Sequence, residues 1–279
     1  MTYTLSELLL DTYAALGELN IHTATGGGLA TLQDESLFGL TPPDAWARGA
    51  LIALSGGSAP AGEFVPIRAS ADVPGAPGYA EFTTARNFSA PVTDGLGYAL
   101  LSAAYPLDTL IELANTALGA LGYIASYADA PVAAGMSLSL PGVAWNGAPP
   151  QAVEIAQGDG WVRSRGWQYL APLAGEDGAV VFHEPVAPGL TARVWSVARH
   201  PRIRQHDDAI APSVAPELAL AAATERALAW KAARVKGGDP GLFARWESAR
   251  AALDDARTRF PIWTPARAGR LLHLTLGVG

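Results

Sequence analysis

The sequence predicts an α+β protein: a helical bundle of four main helices, carrying two β-rich inserts and ending in an extended C-terminal tail. Three observations carry this expectation. Apolar residues recur at helical spacing near the N-terminus, after Pro106 and after Pro240, and the run after Pro216 is rich in Ala, the best helix former, with Glu217 early and Lys231, Arg234 and Lys236 late. Between these segments lie short apolar runs broken by turn residues, in a chain of 279 residues with 30 Gly and 21 Pro. A helix of about 13 residues is marginal alone, so the helices are expected to gather and the strand regions to project from them. The expected organisation is a helical core from 1–21, 105–131 and 201–260, a first insert at 22–104, a second at 132–200, and a tail at 261–279.

The first helix is marked by Thr4 and Glu7, the capping-box spacing that satisfies orphan N–H groups. Leu5, Leu8, Leu9, Tyr13 and Leu16 then share one face. The first insert reads as five short strands (LATLQ, ALIAL, EFVPIRA, YAEFTTA, YALLSA), forming a small barrel or sandwich. Its Gly26–Gly28 run lacks the Lys-Ser/Thr of a phosphate loop and reads as a turn. The second helix starts with Pro106 in its first turn, and Leu107, Leu110, Ile111, Ala114, Leu118 and Leu121 repeat with helical period; Gly122 ends it at positive φ. Tyr123 and Tyr127 fall in loops and edges. The second insert reads as strands SLSLP, AVEIA, WVRSRGWQYLA, AVVFHEP and ARVWSV, with a hairpin around EDG and with Trp161, Trp167 and Trp195 as packing residues. Two closing helices follow, joined by GGDP as an antiparallel hairpin in which Asp239 caps the second. There Leu242, Trp246, Ala249, Leu253, Ala256 and Phe260 form a packing seam on which the fold is expected to depend. In the tail, LLHLTL has strand character and no local partner.

Composition narrows the chemistry. With no Cys, disulfides, Cys-ligated metals and thiol catalysis are excluded. No apolar run reaches the length of a membrane span, and the acidic N-terminal stretch does not read as a signal peptide. The net charge of −7 is unevenly spread: residues 1–190 hold 18 acids and 5 bases, residues 191–279 hold 8 acids and 14 bases. That is either a solvated basic helix face or a polarity suited to stacking against copies or partners. None of the five His lies in a metal-binding spacing; His200, His206 and Asp207 are the one local group of potential ligands, in a loop. There is no GxSxG elbow, and adjacent carboxylates such as Asp254 and Asp255 point apart. No catalytic residue, cofactor or metal site is expected.

The segment ARVWSVARHPRIRQHDDAIAPSVAPELALAAATERALAWKAARVKGGDPGLFARWESARAALDDARTRFPIWTP, with SELLLDTYAALGELN and PLDTLIELANTALGALG, resembles the head-to-tail connector (adaptor, neck) proteins of tailed bacteriophages. The resemblance implies a non-enzymatic virion protein located between capsid and tail. It implies a ring, commonly of about twelve copies, that docks on the portal protein, meets tail or further neck proteins, and lets phage DNA pass without reading its sequence. An acidic inner wall would repel the DNA and let it slide. Contacts between chains are expected at Arg199, Arg202, Arg204, Arg267, Arg270, Leu271, Leu272, Leu274 and Leu276. The alternatives are another tail or baseplate structural protein, or a carbohydrate-active or metal-dependent enzyme built on the β inserts.

Overall fold

In the computed structural model the strand-forming runs, not the helices, set the architecture. It describes residues 2–132, 136–140, 149–171, 177–235 and 238–262. These residues form three antiparallel sheets of seven, four and three strands, and four α-helices; 27% is helical and 35% is strand, with no helical bundle. The expectation of a four-helix bundle with β inserts is therefore corrected. The physical reason lies in runs such as ALIAL and YALLSA. A strand apolar on both faces needs cover on both, and amphipathic helices can bury their apolar face on a sheet as well as on one another.

The chain divides into two compact units, one of residues 1–122 with 200–261, the other containing residues 123–199. In the first unit, α1 (Leu5–Leu16) is followed by β1 (Leu19–Thr23), β2 (Gly26–Gly27), β3 (Thr31–Asp34), β4 (Ala50–Ser55), β5 (Phe64–Val73), β6 (Tyr79–Thr84), β7 (Gly97–Leu101) and α2 (Leu107–Ala120). The strand order is β1-β7-β4-β5-β6-β3-β2. The two end strands are consecutive in the chain, so the sheet closes on itself. Ala24 makes the junction on one side, donating to Leu96 O (2.8 Å), and Thr25 on the other, donating to Gln33 O (2.8 Å). The junction covers part of the edge that β1 and β2 would otherwise present. Gly27 is required here: a Cβ would fall 2.4 Å from Thr31 O. β5 turns the corner at a register shift between Ile67 and Ala69, pairing with β4 before it and β6 after it. Leu32, Leu51, Val65, Phe82, Tyr98 and Leu100 fill the interior.

The opposite side chains of β4 and β7, Ala50, Ile52, Ala99 and Leu101, are buried as well. The N-terminal turn of α1 and the 200–211 segment lie over the neighbouring β4–β5 turn. Phe64 meets the His206 ring edge-on at 6.4 Å, and a Cβ on Gly62 would fall 2.6 Å from Ser6 Oγ. Thr4 and Glu7 form the capping box of α1, and Gly17 ends it at φ 72°. Helix α3 (Pro216–Ala232) packs against α1, α2 and α4 (Pro240–Arg259). Its buried Ala219, Ala222, Ala223 and Ala227 let these neighbours approach closely.

The second unit holds β8 (Tyr123–Pro131), β9 (Ser137–Leu140), β10 (Pro150–Gln157), β11 (Gly160–Ser164), β12 (Trp167–Leu170), β13 (Gly178–Phe182) and β14 (Thr191–Arg199). They form a four-stranded sheet, β11-β10-β14-β8, and a three-stranded sheet, β12-β13-β9. Val153, Ile155, Ala192 and Val194 of the first share a core with Leu138, Leu140, Val180 and Phe182 of the second, a sandwich. Tyr123 and Tyr127, read from the sequence as loop and edge residues, lie within β8.

Candidate functional site

The outer face of the four-stranded sheet gathers the most chemistry in one place. Alternation along β14 turns Ala192 and Val194 into the core and leaves Arg193 and Trp195 outward. Pairing then decides their neighbours: Arg193 lies opposite Asp129 on β8 and Glu154 on β10, and Trp195 lies opposite Tyr127. On β11, Trp161 stands opposite Ala156, whose small side chain leaves room for the indole to cross β10.

Arg193 is the centre of this face. Its Nε and Nη2 donate to the two carboxylate oxygens of Asp129, each at 2.8 Å. Its guanidinium carbon lies 3.9 Å from the Tyr127 ring centroid and 4.0 Å from that of Trp161. Each such contact contributes about 0.5–1 kcal/mol at an exposed site. The hydrogen bond to Asp129 raises the guanidinium pKa further, so the charge is permanent. Trp195 Nε1 donates to Glu154 Oε2 at 2.8 Å, and its ring sits 4.9 Å from Tyr127. The Tyr127 and Trp161 rings are held by these contacts yet remain accessible, 46% and 37% exposed, and Tyr123 at the start of β8 is 66% exposed. An ordered, accessible set of Tyr, Trp and Arg has the composition of a protein-binding hot spot.

Arg199 ends β14 on this same face, opposite Tyr123, with its side chain exposed. Arg202 and Arg204 belong to the other unit. Arg202 is ion-paired with Glu112 of α2, both side chains more than half exposed, a pair worth little to stability. The Arg204 backbone N–H donates to Asp208 Oδ2, as does that of Gln205 (2.7 Å). Arg267, Arg270, Leu271, Leu272, Leu274 and Leu276 lie outside the described residues.

The His200–Asp208 stretch, the candidate for an ion, works as a strap. His200 Nε2 accepts from the Ala211 N–H (3.0 Å), which leaves Nδ1 to donate to Pro201 O (2.7 Å). Both ring nitrogens are thus occupied by backbone, and burial lowers the pKa of this neutral imidazole. His206 O and Asp208 O accept from the N–H groups of Ser6 and Leu5, completing the N-terminus of α1. Asn115 clamps Ile203, donating to its carbonyl and accepting from its N–H, both at 2.8 Å. Among the described residues no three His, Asp or Glu side chains form a group that could hold a metal ion. Trp167 packs against the sandwich core, whereas Trp161 does not.

A second buried polar group closes the barrel interior. The wholly buried Asp34 accepts from Tyr98 Oη (2.7 Å) and from Ser36 N (2.8 Å) and Oγ (2.6 Å). His22 Nδ1 lies 3.9 Å from it. Burial, then the bond to Asp34, raises the Tyr98 pKa and keeps the phenol a donor.

Sequence reasoning placed Tyr127 in a loop or edge and did not single out Asp129, Glu154 or Arg193. Alternation in YIASYADAP and ARVWSVAR does place Tyr127 with Asp129 and Arg193 with Trp195 on one face of each strand. No family model matches the chain, and no curated protein matches it. No described helix is long and apolar enough to cross a membrane.

Proposed function

We propose that the chain is a structural protein of the bacteriophage neck, assembled as a ring of about twelve copies that joins the portal protein to the tail and lets DNA through. It acts by holding other chains, without catalysis or cofactor. The observation that carries this reading is the outer face around Arg193, where permanent charge and accessible aromatic rings are fixed in place before any partner arrives. Preorganisation of this kind lowers the entropic cost of association. The sequence likeness supports the neck in particular, and so does the uneven charge, since residues 1–122 hold 12 acids and 3 bases. The purified protein, imaged by negative stain and weighed by native mass spectrometry alone and with a portal protein, is expected to form closed rings that stack on the portal. Six-fold or three-fold assemblies would move it to the tail or baseplate. A chain that stays monomeric in both conditions refutes the proposal.

A further inference from the structure

We propose that the C-terminal segment 271–276, LLHLTL, supplies an edge strand to the second unit of its own chain: it adds to the free edge of β11 and closes that side of the sandwich. The proposal does not depend on the ring.

The state of β11 calls for such a cover. It is an end strand of the four-stranded sheet, and among the described residues no strand pairs with its outer edge. Native proteins usually blunt an open edge with Pro, a bulge or charge. β11 reads GWVRS and runs beside β10 with no register shift. It has neither Pro nor bulge, and its one charge, Arg163, shares the outer face with Trp161. Val162 lies opposite Ile155, so both point to the inside of the sandwich. Yet Ile155 is buried in the core, whereas Val162 is 48% exposed. No described residue of β11 joins that core, so its flank is uncovered there. The other end strands are managed differently. β8 carries Asp129 and ends in Pro131, β9 exposes Ser137 and Ser139, and on β12 Trp167 and Tyr169 already pack against the core.

The segment has the pattern of the cover. Leu272, Leu274 and Leu276 alternate with His273 and Thr275, so a strand here has one wholly apolar face. Its length suits the five residues of β11. Paired with β11, the leucine face falls beside Val162 over the flank of the core, and His273 and Thr275 fall on the solvated side. The backbone ladder supplies affinity and the alternating leucines fix the register.

The chain's own tail is the occupant for two reasons. The described residues end at Ile262, which is half-buried and groups with the second unit, not with the helix α4 that precedes it. Residues 263–271 reach about 30 Å when extended. A tether of that length holds the segment at an effective concentration on the order of millimolar, against which the tail of a second copy must compete.

The chain has no Cys, so an engineered pair gives a clean readout. Val162→Cys is combined in turn with Leu272→Cys, Leu274→Cys and Leu276→Cys in the full chain, oxidised, and weighed intact under denaturing conditions without reductant. At least one pair is expected to close a disulfide within one chain, since cross-strand neighbours bring Cα atoms to about 4.4–6.8 Å. Val162→Cys with His273→Cys, on opposite faces, is expected to stay reduced. Hydrogen exchange then tests the wild type itself. Its β11 amides that point away from β10 are expected to exchange about tenfold slower than in Leu272→Asp with Leu274→Asp, while β10 and β14 stay protected in both. Disulfides that join two chains assign the segment to a second copy and overturn the proposal. So does the absence of a disulfide in all three pairs, a His273→Cys pair that closes as readily, or equal exchange of β11 in wild type and variant.

Discussion

His200 shows how a residue type that suggests chemistry can be absorbed by structure. Its two ring nitrogens face a backbone N–H and a backbone C=O, so only the neutral tautomer with the proton on Nδ1 satisfies both. Protonation would set a second N–H against that of Ala211. Burial lowers the folded pKa below the ordinary value of 6.5, against the opposing effect of the Pro201 bond. The unfolded chain then binds this proton more readily than the folded one. The stabilisation is present above 6.5 and is lost as pH falls below it toward the lower folded value. The wild type is expected to lose more unfolding free energy than His200→Gln between pH 8 and pH about 5.5, measured by denaturant titration. Equal losses would show that the imidazole does not titrate as argued.

At the level of elements, α4 is the least secured. The seam is present as spaced in the sequence, but it is narrow: Leu242, Leu253 and Ala256 are buried, whereas Trp246 is half-buried. Trp246 Nε1 donates to Glu225 Oε1 on α3 (2.9 Å), and Arg245 donates to Leu16 O at the end of α1 (2.7 Å). The core of the first unit lies elsewhere, within the barrel and over β4 and β7. Trp246→Asp places a carboxylate toward Glu225 and forfeits about 2–3 kcal/mol of packing. It is expected to release α4 without opening the barrel. Hydrogen exchange reads the difference: amides of Pro240–Arg259 should lose protection while those of β4 and β7 keep it. Loss of protection throughout would return the seam to the centre of the fold.

For the whole molecule, the way the second unit is inserted matters most. Tyr123 and Arg199 are register partners at the ends of β8 and β14, so the chain leaves the first unit and returns to it about 5 Å apart. Each unit has its own apolar core. Replacing residues 123–199 by two glycines is therefore expected to leave the first unit folded, with a melting temperature within about 5 °C of the parent. A molten or aggregated product would mean that the first unit cannot fold without the insertion. The same excision removes the face around Arg193, so the excised protein is also expected to be monomeric.

Local hydrogen bonding and periodicity were legible in the sequence alone. Thr4 with Glu7 caps α1, Asp239 caps α4 through the N–H groups of Gly241 and Leu242, and Gly122 takes φ 97°. Strand texture marked most strands, because alternation and turn residues act within a few positions of one another. LNIHT and YIASYADAP escaped, since LNIHT is short and carries Asn20 and His22, and YIASYADAP is rich in Ala and ends in Pro131, so neither has strong strand propensity. What only the tertiary structure decided were pairings over long separations. They include the two-sided junction at Ala24 and Thr25, and the burial of the outer side chains of β4 and β7. They also include the register that brings Asp129, Tyr127 and Trp161 onto Arg193. A strand shows which side chains share its face, but not which strand lies beside it. That choice is made by the combined burial of surfaces far apart in the chain, and no single segment encodes it.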